Sequence, residues 1–266
     1  MEDSAEFWRD PKLPYVESRR ACSSRVCYRP HSHSTWSIGA VDDGVSVFSG
    51  AGPATVTLRP GTLVFVPPLR VHACNPAPER AWSYQMLHLD ADWVGEVMRE
   101  LGGADPDPTI ELLDDAASYR RFCRLNAQLF SDAEPWLKEA ALIDFVAGAR
   151  RLHGIRIAPP LAPDALRRQL DPVFDRLQAD ADSPSLPALA ALAGMSRYQL
   201  IRAFRAATGL TPHAWDLNHR INLARERLRA GGALADVAHG LGFADQSHFQ
   251  RVFKAHAGVT PRRYRS

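Results

Sequence analysis

Apolar residues recur along this chain with two different periods, and the change of period divides it. From residue 21 to about residue 89 they come in short β-branched or aromatic runs cut by Gly and Pro. Trp36-Ser37-Ile38-Gly39-Ala40-Val41, Val45-Ser46-Val47-Phe48, Ala54-Thr55-Val56-Thr57-Leu58, Leu63-Val64-Phe65-Val66 and Tyr84-Gln85-Met86-Leu87-His88-Leu89 are such runs. Asp42-Asp43-Gly44, Ser49-Gly50-Ala51-Gly52-Pro53 and Arg59-Pro60-Gly61 are turn signals between them. Regular short strands with such turns predict a small antiparallel barrel or sandwich. Residues 1–20 are polar with scattered aromatics and predict no element.

From residue 91 the pattern turns helical. Helices are expected over 92–101, ended by Gly102-Gly103, over 116–130 and over 134–152. The stripe of Leu137, Ala141, Ile143, Phe145 and Val146 on the third would pack on the barrel or on a second subunit. Ile157-Ala158-Pro159-Pro160-Leu161-Ala162-Pro163 is a semi-rigid spacer and the expected domain boundary. Asp164 then caps a helix through about residue 178.

The last part of the chain carries one pattern twice. Val237, Ala238 and Leu241 fall at helical spacing and stop at Gly242; Phe249, Val252 and Phe253 restart beyond a short turn. That is a helix-turn-helix. Upstream, Gly194 matches Gly242 at an offset of 48. Beyond the turn the offset is 49: Leu200 with Phe249, Phe204 with Phe253, Arg205 with Lys254, Gly209-Leu210-Thr211-Pro212 with Gly258-Val259-Thr260-Pro261, Trp215 with Tyr264. The extra residue falls in the turn, where an insertion disturbs least. Thr211-Pro212 is a helix start, and the helix it opens should run to Ala230, before Gly231-Gly232. Roughly 20 residues give a rod of about 30 Å, which suits two readers placed in successive major grooves about 34 Å apart.

Charge supports that division. Residues 183–266 hold twelve Arg/Lys against four Asp/Glu, a balance of +8; the remainder holds twenty against twenty-six, a balance of −6. A basic end on an acidic body fits nucleic-acid binding confined to one end. No apolar run approaches the roughly 20 residues of a membrane span. The acidic start Met1-Glu2-Asp3-Ser4-Ala5-Glu6 lacks a signal-peptide core. Cys22, Cys27, Cys74 and Cys123 form no CxxC pair, so a reducing cytoplasm is expected.

The region from Asp164 to Ser266 resembles the DNA-binding domain of AraC-type (arabinose regulator) transcription factors. The resemblance rests on the run from Leu189 to Phe204, on Gly242-Phe243-Ala244-Asp245-Gln246-Ser247-His248-Phe249, and on Gly258-Val259-Thr260-Pro261-Arg262-Arg263-Tyr264-Arg265. It implies that the first recognition helix presents Arg197, Tyr198, Ile201, Arg202 and Arg205, and the second Gln246, Ser247, His248, Gln250, Arg251 and Lys254. Tyr198, Arg202, Gln246, Ser247 and Arg251 are the expected base contacts, because Arg suits guanine O6/N7 and Gln suits adenine N6/N7. Arg197, Arg205, Lys254 and Arg220 are expected on phosphate. Asp245 is expected as an N-cap. Leu189, Leu192, Leu200, Phe204, Leu241, Phe243, Phe249 and Phe253 should be core.

Arg29-Pro30-His31-Ser32-His33, then Arg59-Pro60-Gly61 through Val71-His72, resembles the two motifs of a cupin barrel. The family's pattern implies a divalent metal on His31, His33 and His72. Strand alternation puts His31 and His33 on one face. The usual Glu after His33 is replaced by Ser37/Ile38, and a usual Gly by Leu69. Three neutral imidazoles suffice for Zn, Ni or Fe; Cys74 or His88 would add a fourth ligand. The alternatives are contact with an organic effector, through His31, His33, Trp36, His72, Cys74 and Tyr84, or plain structure. Cys74 by itself reads as a small buried apolar residue.

The resulting expectation is an α+β multidomain protein. Residues 1–153 form a cupin-like antiparallel β-barrel with helices, which binds effector and dimerises. Residues 154–163 are a linker, and 164–266 an all-α domain with two helix-turn-helix motifs. The function implied is a sequence-specific transcriptional regulator, not an enzyme, acting on double-stranded operator DNA as a homodimer, with RNA polymerase as a further partner. A small molecule or metal is the effector. The rival readings are a metal-dependent cupin enzyme fused to a DNA-binding module, and a constitutive architectural protein without effector.

Overall fold

The computed structural model describes residues 4–50, 55–102, 108–149, 154–158, 162–179 and 184–265. Two compact units are present: Met1–Val26, His33–Arg70 and Cys74–Pro159 in the first, and Cys27–Ser32, Val71–Ala73 and Pro160–Ser266 in the second.

The strands of the first unit are β1 (Ser4–Trp8), β2 (Val16–Ser24), β3 (Trp36–Asp43), β4 (Ser46–Ser49), β5 (Thr55–Leu58), β6 (Thr62–Val66), β7 (Ala73–Pro76), β8 (Trp82–Leu89), β9 (Ile110–Asp114) and β10 (Ile155–Ile157). They form a seven-stranded sheet, β1-β2-β8-β3-β6-β9-β10, and a three-stranded sheet, β5-β4-β7. Alternation along the strands sends side chains to two faces of the large sheet. One face meets the small sheet: Ala21, Val41, Val64, Val66, Trp82, Tyr84, Ile110 and Leu112 bury against Phe48 and Leu58. The other, with Ile38, Ala40, Leu63, Phe65, Leu87 and Leu89, is covered by helices. These are α1 (Ala91–Glu100), α2 (Ala116–Leu129) and α3 (Pro135–Ala149). They contribute Val94, Val97, Phe122, Leu125, Leu129, Leu142, Phe145 and Val146.

The expected strands at 36–41, 45–48, 63–66 and 84–89 and the helices at 92–101 and 116–130 have counterparts within two residues. The structure adds four features. Residues 4–20, which gave no pattern, supply β1 and the first part of β2, paired as Ser4↔Cys22 through Trp8↔Ser18. The 91–152 stretch is interrupted by β9, which lies against β6 as Thr62↔Asp114 through Phe65↔Glu111. Five residues without alternation carry too little local signal to be read as a strand. Ile155–Ile157, inside the expected spacer, is edge strand β10. The α3 stripe divides: Phe145 and Val146 are buried and Ala141 packs beside them, while Leu137 and Ile143 are exposed. The end of the expected helix at 150–152 and spacer residues 159–161 lie outside the described residues.

The helices of the second unit are α4 (Asp164–Ala179), α5 (Leu186–Leu192), α6 (Arg197–Thr208), α7 (Pro212–Arg229), α8 (Leu234–His239), α9 (Gln246–Ala257) and α10 (Pro261–Arg265). α5 and α6 make the first helix-turn-helix, α8 and α9 the second. Gly194 and Gly242 stand in the two turns at φ +62° and +68°, which a side chain with a Cβ resists. Ser196 caps α6 in a capping box with Gln199. The Asp245 carboxylate accepts from His248 N–H at 2.7 Å and starts α9. Thr211 and Pro212 start α7, which runs for 18 residues, about 27 Å. Leu170, Val173, Leu177, Leu189, Ala190, Ala193, Leu200 and Phe204 form the core around the first motif. Leu192, expected in it, is 46% exposed. It ends α5, and Leu189, Ala190 and Ala193 already occupy the inward positions.

Candidate nucleic-acid interface and effector site

The outward face of α6 carries Arg197, Tyr198, Arg202 and Arg205, all exposed; Ile201 is half-buried at its edge. Tyr198 is 69% exposed, and the Arg202 guanidinium lies 5.6 Å from its ring centre. On α9, Gln246, Ser247, Arg251 and Lys254 are exposed. Gln250 and His248 are half-buried, and the His248 ring meets Phe243 edge-on at 5.6 Å. The inward positions Leu200, Phe204, Phe249 and Phe253 are fully buried. Each of the two helices thus rests on two large apolar side chains; α6 offers phenol and guanidinium groups outward, and α9 amide, hydroxyl, guanidinium and ammonium groups.

Arg220 departs from its expected role on phosphate. It is 5% exposed. Its Nε donates to Asp216 at 3.0 Å, and Nη1 donates to the carbonyls of Leu241 and Gly242 at 3.2 and 3.3 Å. The arginine therefore ties α7 to the turn of the second motif from inside.

In the first unit the strand register separates the expected effector residues. Trp36 shares the helix-covered face with Ile38 and Ala40, whereas Tyr84 and Cys74 belong to the interior between the sheets. Burial pushes the Cys74 thiol up to about 12, opposed by its hydrogen bond with Ser46, so the sulfur stays neutral. Trp82 stacks on Tyr84 at 4.3 Å, and its indole N–H is buried without a hydrogen-bond partner among the described residues. Two buried charged residues on β2 were not anticipated. Arg19 lies over the rings of Phe7 and Tyr84 at 5.3 and 5.5 Å. Glu17 accepts from Arg9 at 2.7 Å. The alternation of Glu17, Arg19 and Ala21 was the available signal, but it reads as solvent-facing until β8 and β1 are known to flank it.

His31 and His72 oppose each other in an isolated β-bridge, with ring centres 4.7 Å apart. The ligand nitrogens of His31, His33 and His72 all lie within 4.8 Å of one another, and all three residues are buried. His33 is also 4.8 Å from the ring of His88, whose Nδ1 is 2.9 Å from Ser37 Oγ. Burial holds His31 well below the usual imidazole range, with the charges of His72 and Arg225 adding to the effect. Its Nδ1 lies 2.6 Å from the Arg29 carbonyl; a carbonyl only accepts, so Nδ1 carries the proton and Nε2 keeps a lone pair. The group contains no carboxylate.

An antiparallel β-domain followed by two helix-turn-helix motifs on one rod defines a DNA-binding regulator with a separate ligand-binding domain. Comparisons with known proteins agree. The AraC-like ligand binding domain family matches residues 13–146, half of the chain, and a helix-turn-helix domain family matches 189–266. The chain belongs to the AraC-type family of transcriptional regulators. YbfI of Bacillus subtilis, named as an uncharacterised HTH-type transcriptional regulator, is 25% identical over 244 residues, 90% of this chain and 87% of its own. The arabinose operon regulatory protein of Escherichia coli is 26% identical over 223 residues, 78% of this chain and 73% of its own. ToxT of Vibrio cholerae shares the fold, with a TM-score of 0.58 at 13% identity, covering 100% of this chain and 97% of that one.

Proposed function

We propose that the interior of the β-domain takes a small organic effector. In the same reading, the two recognition helices read operator bases through Tyr198, Arg202, Gln246, Ser247 and Arg251, with Arg197, Arg205 and Lys254 on phosphates. The observation that carries the DNA assignment is the uncovered polar face of α6 and α9 above the buried Leu200, Phe204, Phe249 and Phe253. Arg and Gln there have the donor geometry that base edges in the major groove require. In the β-domain, Arg19 on Tyr84 and the Trp82 N–H, unmatched among the described residues, are polar groups set in the apolar interior between the sheets, and they support the effector reading.

Residues 1–153 form the effector-binding and dimerisation part in this reading, and 164–266 the reader. Trp136, Leu137 and Ile143, 65%, 38% and 37% exposed on α3, support a homodimer through that helix. A DNA-bound regulator works in the cytoplasm, and no helix among the described residues is long and apolar enough to cross a membrane. Effector and DNA are coupled only as far as the effector binds two states unequally. The test is Arg251→Ala on an operator recovered by in vitro selection. Specific binding should weaken by about 1–3 kcal/mol with relaxed preference at one base pair; unchanged affinity and preference would overturn the assignment of α9.

The grouping of His31, His33 and His72 favours a second reading of the effector, a divalent metal. The residues fit such an ion: three imidazoles, one oriented by a carbonyl on its far nitrogen, are a known donor set for Zn, Ni or Fe. The ion would supply coordinate bonds fixing three chain positions; His31 would enter through Nε2. Purified protein should carry about one equivalent by elemental analysis, reduced in His72→Ala. Metal-free wild-type protein that stays so after incubation with Zn would remove this reading.

A further inference from the structure

The second unit contains a cleft of ≈ 300 Å³ lined by the end of α6, the start of α7, the end of α9 and Arg29-Pro30, whose segment Cys27–Ser32 belongs to that unit although it precedes residue 153 in the chain. Nothing in the proposed DNA reading requires a cavity there. Its charge is one-sided. Arg29 and Arg205 line it, and neither has an acidic partner among the described residues. No Asp or Glu is among the lining residues.

Backbone polarity points the same way. In the first turn of α7, Pro212 has no N–H, and the Ala214 N–H is taken by Thr211 Oγ1 at 3.3 Å. The Trp215 N–H is taken by the Thr211 carbonyl at 2.9 Å. The His213 N–H remains, at the positive end of an 18-residue helix. His256, 5% exposed, uses Nδ1 on the Val252 carbonyl at 2.9 Å and makes no hydrogen bond through Nε2 among the described residues. The rest of the wall is hydrocarbon, from Leu210 and Leu217 among others.

Two guanidinium groups and an orphan N–H beside an apolar wall suit an anion with a carbon body better than an inorganic ion. A carboxylate matches the guanidinium fork, while the apolar wall rewards the body. We propose that this cleft is a second ligand site of the protein, distinct from the interior of the β-domain, and that it binds a small organic carboxylate.

The test is calorimetric titration of the full chain with hexanoate and benzoate, beside hexanamide, benzamide and inorganic phosphate. Arg29→Gln removes a cation and Ala214→Met fills the cleft; both lie outside the proposed DNA contacts, and wild-type operator affinity certifies their fold. The expected result is saturable binding of one or both carboxylates. The amides and phosphate should bind at least about tenfold more weakly, and both variants should lose about tenfold or more in affinity. Absence of saturable binding up to about 10 mM would overturn the proposal. So would equal binding of phosphate, or carboxylate binding that survives both variants. Survival there together with loss in Arg19→Gln would move the carboxylate to the interior of the β-domain and leave that effector reading standing.

Discussion

Arg220 joins two elements through one side chain. Its Nε holds Asp216 one turn back on α7, and its Nη1 caps the carbonyls of Leu241 and Gly242 in the second turn. The pair is buried, with side chains 6% and 3% exposed. Removing one member of such a pair leaves an uncompensated charge inside, at a cost of about 3–5 kcal/mol, whereas replacing both with apolar residues costs far less. Arg220→Ala should therefore lower the urea midpoint strongly, and the double variant Asp216→Leu/Arg220→Met should recover much of the loss. A single variant as stable as wild type would contradict the brace. Nothing local distinguishes this arginine from Arg197 or Arg251 in the sequence. An i,i+4 Asp–Arg spacing ordinarily reads as an exposed helix pair, and only the packing of the second turn against α7 makes it interior.

At the scale of elements, the reader is assembled from short helices whose ends are fixed chemically. Ser196, Thr211 and Asp245 each accept a backbone N–H at a helix start. The turn glycine Gly194 has φ +62°, and no other described residue lies within 4 Å of where a Cβ would stand, so its substitution meets only the backbone penalty. Gly258, at φ +73° after α9, would in addition bring a Cβ to 2.5 Å from the Tyr28 Oη. Gly194→Ala should cost about 1–2 kcal/mol, and Gly258→Ala more, with the excess removed in a Tyr28→Ala background. Equal costs in the wild-type background would mean that the Tyr28 ring moves aside freely. The caps Thr211 and Asp245 and the turn glycines were legible in advance because each acts within four residues. β9 was not, because its five residues become a strand only by pairing with β6 some fifty positions earlier.

For the whole molecule the governing quantity is the separation of charge: +8 over residues 183–266 against −6 over the rest. Affinity for duplex DNA should then fall steeply with salt, with a log–log slope of about −0.9 per phosphate neutralised. Lys254→Gln should reduce that slope by about one and weaken binding to all sequences alike. An unchanged slope would take Lys254 off the phosphates. Arg251→Ala differs in kind, since it should change preference among sequences.

The sequence by itself determined the double reader: helical period, caps, turn glycines and a second copy in matching register are all local, and each constrains the chain where it stands. It also determined the strands whose ends are marked by turns. The tertiary structure alone decided which chemistry is inside. It buried Arg19, Glu17 and Arg220, put Trp36 and Tyr84 on opposite faces of one sheet, and gathered His31, His33 and His72 to within 4.8 Å. Those outcomes depend on contacts between residues far apart in the chain, and the energy of a polar group depends on what surrounds it in space, which no local period records.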